Sequence, residues 1–175
     1  ELPDSIEDFA KPEWNGRIGW PPTNSSLLAM ITAMRQEWGE DRTRDWLKGI
    51  VANEPKTYAK NTPTVAAVAA GESDVGFVNH YYLHRFIAEE GESFAARNYY
   101  TRAADPGSVV LVAGVGILEG SDNKELAIQF IEFLLSVSGQ QFFASQIYEF
   151  PLNDQVQPND LLPALEDVTK PSIDL

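Results

Sequence analysis

An α/β fold with a substantially parallel sheet is what this sequence predicts, on three observations. Short apolar runs of strand type recur, at Arg17–Trp20, Asp74–Asn79 and Val109–Leu118. Segments with helical spacing of apolar residues lie between and after them. Caps, Gly and Pro punctuate nearly every junction, and alternation of this kind favours parallel pairing through helical crossovers.

Residues 1–16 read as an entry segment, with Asp4 or Ser5 able to cap a turn and Pro12-Glu13-Trp14-Asn15-Gly16 rich in turn formers. Pro21-Pro22 stops the first strand. Thr23-Asn24-Ser25-Ser26 then offers N-caps to a helix carrying Leu27, Leu28, Ile31, Met34 and Trp38, ended by Gly39. A second helix is expected from Asp41 to about Ala52, with Trp46, Leu47 and Ile50 inward. The next is expected to take Thr62 as its cap and Pro63 at its first position, and to close at Gly71. Tyr81 to Glu90 reads as helix. A helix from Ser121 or Asp122 to Leu135 is expected to bury Leu126, Ile128, Phe130, Ile131, Phe133 and Leu134. Ser136 to about Gln146 continues as another helix, and the tail carries a short helical candidate near Leu161–Val168.

The chain has 175 residues, enough for one domain with a real core. Its 13 basic and 26 acidic residues give a formal charge of −13, which argues against nucleic acid as partner and draws cations to the surface. No apolar run reaches membrane-spanning length. There is no cysteine, which excludes disulfides, thiolate metal sites and thiol catalysis. The opening Glu1-Leu2-Pro3-Asp4 has no initiator Met and no leader-like features, so a processed chain or a piece of a longer one is expected.

Enzyme signatures are lacking. No Gly-x-Ser-x-Gly elbow and no phosphate-binding Walker loop occurs, and Gly114-Val115-Gly116 lacks the rest of a dinucleotide fingerprint. His80 and His84 have the spacing of some zinc helices but no obvious third ligand, and His84 is expected at the surface. Glu89, Glu90 and Glu92 read as a solvated face.

Two features point to a ligand. Asn79 at a strand end, Asn61 before a helix and the Asn24–Ser26 helix start all offer polar groups where backbone N–H groups are unpaired. Together they suit an oxyanion, although Asn and Ser serve most often as plain caps. Tyr81 and Tyr82 are adjacent phenols after a strand. In extended chain they would face oppositely, but at a strand-to-helix turn both can converge. A phenol ionises near pH 10, so a strongly polarising hard cation such as Fe3+ is what would turn the pair into oxygen ligands near neutrality. Aromatic packing is the commoner role of such a pair.

The runs Trp14-Asn15-Gly16-Arg17-Ile18-Gly19-Trp20, Pro22-Thr23-Asn24-Ser25, Val75-Gly76-Phe77-Val78-Asn79-His80-Tyr81-Tyr82, Ala113-Gly114-Val115-Gly116-Ile117 and Tyr148-Glu149-Phe150-Pro151-Leu152 resemble the carboxy-terminal half of periplasmic ferric-ion-binding proteins. These are the substrate-binding subunits of iron ABC transporters. The resemblance implies a type II periplasmic-binding-protein lobe. It implies Tyr81 and Tyr82 as phenolate ligands to Fe3+, and Ser25, Asn61 and Asn79 as holders of a synergistic anion, phosphate or carbonate. It also implies an ABC permease as partner, a missing amino-terminal lobe that supplies the remaining ligands, and a periplasmic or lipid-anchored extracytoplasmic location without catalysis. Residues 1–110 would form the ligand-binding lobe, 111–152 would return to the missing lobe, and 153–175 would form a tail. As half a site, the chain alone is expected to bind metal more weakly than the intact protein. The alternatives are a relative of the same fold for another ligand, an oxyanion or polyamine, and a ligand-sensing effector domain.

Overall fold

A computed structural model describes residues 1–171; the last four residues of the expected tail lie outside the described residues. The chain divides into two compact units, Glu1–Leu111 with the chain from Val168, and Val112–Asp167.

The first unit is built on three parallel strands, β1 (Ile18–Trp20), β2 (Lys56–Thr57) and β3 (Val75–Gly76), in the order β2-β1-β3. Gly19 and Trp20 lie opposite Lys56 and Thr57, and Ile18 and Gly19 opposite Val75 and Gly76. β1 is central and wholly buried, as its run of apolar residues requires. The expected strand over 74–79 narrows to Val75–Gly76, because the chain leaves the ladder after Phe77 bonds Gly19 and turns toward the next helix.

Each strand leads into a helix. α1 (Ser25–Trp38) follows β1, with the Asn24 side chain accepting the Ser26 N–H as N-cap. α2 (Glu40–Ala52) follows directly across Gly39. α3 (Asn61–Ala69) follows β2 and α4 (Tyr81–Glu90) follows β3. α3 starts before the expected Thr62 cap. The Lys60 carbonyl already accepts both the Thr64 N–H and its hydroxyl, and Pro63 still falls in the first turn, where no N–H is needed. Gly71 closes the segment in a left-handed conformation, φ +73°.

Side-chain alternation along β3 separates two cores. Val75 and Phe77 pack with Ile6, Phe9, Trp14, Ile18, Trp20, Met34, Trp46 and Ile50, the core under α1 and α2. Gly76 and Val78 meet α3 and α4, whose core holds Val65, Leu83, Phe94 and Ala96. A Cβ at Gly76 would stand 2.8 Å from the Thr64 methyl, so glycine is what lets α3 close on the sheet. The entry segment forms two short 3-10 turns, Ile6–Ala10 and Pro12–Trp14, the first capped by Ser5.

The second unit contains α5 (Lys124–Leu135) and α6 (Val137–Phe142), then a π-helical turn, Phe143–Ile147. Two expectations fail here. The run Val109–Leu118 forms no strand, since no described strand lies beside it to complete a ladder. The apolar residues of α5 are not largely buried: Leu126 is 66%, Phe130 58%, Phe133 56% and Ile128 48% exposed, while Ile131 and Leu134 are half-buried. The apolar residues spread around most of α5, leaving Glu125, Gln129 and Glu132 on one narrow polar face, and a unit this small supplies too little cover for them. The helix expected near Leu161–Val168 is a pair of isolated turns, Leu162 N to Asn159 O and Asp167 N to Ala164 O, interrupted at Pro163. No single helix among the described residues is long and apolar enough to cross a membrane.

Candidate functional site

Because the three strands are parallel, their carboxyl ends share one edge, and α1, α3 and α4 all begin there. Each helix start presents unpaired N–H groups and the positive end of its dipole. Every residue singled out for ligand binding sits at one of these starts.

At the head of α1, the Asn24 side-chain Oδ1 accepts from the Ser26 N–H at 3.0 Å and from the Ser26 hydroxyl at 2.5 Å. The Asn61 amide donates to that same hydroxyl at 3.3 Å, tying the starts of α1 and α3 together. Asn61 is 2% exposed, and its Oδ1 has no hydrogen-bond partner among the described residues. Ser25 is the exposed first residue of α1; the hydroxyl that meets Asn61 belongs to Ser26.

At the head of α4, Tyr81 and Tyr82 are the first two helical residues, both half-buried. Their rings lie side by side, centroids 4.6 Å apart and 30° from parallel. Neighbours in a helix project about 100° apart rather than oppositely as in a strand, and here the two rings come to lie together. Tyr82 also packs on the second core. The Asn79 amide donates to the Tyr81 hydroxyl at 3.3 Å. The Arg85 guanidinium lies over both rings, 5.5 Å from Tyr81 and 5.4 Å from Tyr82.

His80 precedes the helix and meets Tyr81 edge-on at 5.6 Å. His84 is buried, 7% exposed, not at the surface as expected. It shares the inward stripe of α4 with Leu83, and burial, aided by the nearby His80, holds its imidazole below the ordinary histidine pKa. Glu89, Glu90 and Glu92 are exposed, as their clustering predicted. Among the described residues no group of three or more His, Cys, Asp or Glu could hold a metal ion.

Sequence reasoning named the Asn24–Ser26 helix start but missed its link to Asn61, and it missed Arg85. The signal for Arg85 was its spacing, four residues after Tyr81 and three after Tyr82, which puts it on their face of a helix.

Residues 1–174 match the family described as bacterial extracellular solute-binding protein. The chain belongs to that family. The chain is 37% identical over 157 residues to the major ferric iron-binding protein of Neisseria meningitidis serogroup B, covering 89% of this chain and 47% of the relative. It is 33% identical over 176 residues to the Fe(3+)-binding periplasmic protein of Serratia marcescens, covering 99% of this chain and 52% of that one. Among solved structures, iron-bound HitA from Pseudomonas aeruginosa superposes with a TM-score of 0.93 at 33% identity, over 99% of this chain and 56% of HitA. The fold is therefore the type II periplasmic-binding-protein lobe that the resemblance implied. The chain spans about half the length of the curated relatives it matches.

Proposed function

We propose that this chain is the carboxy-terminal part of a periplasmic ferric-ion-binding protein that delivers Fe3+ to an ABC permease and catalyses no reaction. The observation that carries the reading is the convergence of two adjacent phenols, rings 4.6 Å apart, on the sheet edge where three helices begin. The ferric iron-binding protein of Neisseria meningitidis, the Fe(3+)-binding protein of Serratia marcescens and iron-bound HitA, to which the chain is similar, support it.

The chemistry is as follows. Fe3+ is hard and prefers anionic oxygen. Bringing a phenol of pKa about 10 to its anion at pH 7 costs about 4 kcal/mol, which only direct bonding to a strong Lewis acid offsets. Two phenolates reduce the ion's charge to a single positive unit, which phosphate or carbonate offsets in turn. Asn61, Asn79 and Ser25, set among helix N-termini, are the residues assigned to that anion. Asn24 and Ser26 organise the same helix start. The other ligands come from the half of the protein beyond this chain, and residues 111–152 are assigned to that half.

Equilibrium dialysis of the longer protein against a ferric chelate tests the reading. One ion should be held per protein, only with phosphate or carbonate present, with release of about two protons. Iron retention indifferent to both anions would remove the cradle from the account.

A further inference from the structure

We infer that Asn98 is a positioning residue for the phenol pair, fixing the first turn of α4 from outside the helix. The inference rests on the ferric reading above. Tyr81 and Tyr82 occupy the first two positions of α4, the part of any helix most prone to fray. The residue before them, His80, has helical φ −57° and ψ −38° and stands at the N-cap with no side-chain capping bond.

Asn98 supplies the hold. Its amide donates to the His80 carbonyl at 3.0 Å and approaches His84 Nε2, one turn further on, at 3.5 Å. Asn98 itself sits on a strap, residues 92–100, that runs along α4. Phe94, 8% exposed, stacks flat on Phe86 with centroids 4.8 Å apart and planes 6° apart. Ala96 is buried in the same core as Leu83. The Arg97 guanidinium stiffens the strap by donating to the carbonyls of Glu92, at 2.8 Å, Ala96, at 2.6 Å, and Phe94.

The strap therefore grips α4 at His80 and at Phe86, roughly 9 Å apart along the axis at 1.5 Å per residue. Two separated grips fix both the axial position and the rotation of a helix; one would leave rotation free. Rotation matters here because a phenol oxygen stands roughly 6 Å or more from the axis. A 10° turn moves it by about 1 Å, beyond the roughly 0.5 Å that a ligand site tolerates.

The test uses the longer protein, with Asn98→Ala and Asn98→Asp. Asparagine to aspartate keeps the shape but sets an acceptor against the His80 carbonyl, so it should be the worse of the two. Ferric affinity should fall about 10- to 100-fold, as for other residues that orient metal ligands. The phenolate-to-iron absorption maximum should shift, which a merely structural role would not cause. Asn98→Asp with the parent's affinity and absorption maximum overturns the inference, as does lost affinity with an unmoved maximum. A parent protein without the absorption band overturns the ferric reading itself, and the inference with it. Should Asn98→Ala not fold, Asn98→Asp and Asn98→Ser decide the matter.

Discussion

Asp105→Ala should be among the most damaging single changes in the first unit. Asp105 is 6% exposed, and its carboxylate clasps the entry segment to the 101–108 loop across about a hundred residues of sequence. Oδ2 accepts from the Ser5 hydroxyl at 2.7 Å and the Ile6 N–H at 2.9 Å. Oδ1 accepts from the Gly107 N–H at 2.9 Å and the Thr101 hydroxyl at 3.3 Å. Alanine strands the buried Ile6 N–H at about 1–3 kcal/mol, and the half-buried Ser5 and Gly107 donors add about 0.5–1.5 kcal/mol each. Thr101 keeps Ser108 at 2.7 Å and adds little. The sum is about 2–6 kcal/mol, and about 3 kcal/mol, toward its lower end, is already a large share of a domain's stability. With a urea slope of about 1.5 kcal/mol/M, the unfolding midpoint should drop by about 2 M. Trp14, Trp20, Trp38 and Trp46 all lie in the first unit, so tryptophan emission follows that unit alone. Asp105→Asn keeps the shape but sets its NH2 against one backbone N–H, that of Ile6 or of Gly107, while the hydroxyl on that side turns to accept, so it should lose less than Asp105→Ala. A midpoint shift below about 0.5 M for Asp105→Ala would refute the clasp.

Two further changes test the packing and the titration. Gly49→Ala in α2 would raise helix propensity by about 1 kcal/mol on an exposed surface. Here its Cβ would stand 2.7 Å from the Ala10 Cβ and 3.0 Å from the Ala10 carbonyl, so thermal melts should show a net loss of about 1–3 kcal/mol. For His84 the folded state binds the proton less readily than the unfolded one, because burial depresses its pKa. That contribution to stability is intact above about pH 6.5 and is lost as the pH falls below it. Melts at pH 7.5, 6.5 and 5.5 should show a decline that His84→Gln reduces; an equal decline in both proteins would remove His84 as a cause.

The helices of the first unit were legible because caps and periodicity are local. Asn24 before α1, Gly39 after it and Gly71 past α3 mark their junctions in the chain itself. The strand pattern at Val109–Leu118 was legible as pattern, but pairing needs a neighbour that local sequence does not name. Burial of α5 failed for a related reason: apolar residues such as Leu126 and Phe130 state a need for cover without stating who provides it. In the site, Tyr81, Tyr82, Asn61 and Asn79 stood out by residue type and place. The link from Asn61 to Ser26, and the hold of Asn98 on His80, join residues 35 and 18 apart, a closeness only the folded chain creates.

The role proposed for Tyr81 and Tyr82 is to bind Fe3+ as phenolates. Titrating the longer protein with ferric iron and phosphate or carbonate, and following visible absorption, tests it most directly. A phenolate-to-iron charge-transfer band should grow to one equivalent. Tyr81→Phe and Tyr82→Phe should each weaken it and cost affinity at least about a hundredfold, since a direct ligand counts for no less than the groups that orient it. The double substitution should abolish the band; a band of full strength in the double variant would contradict the account.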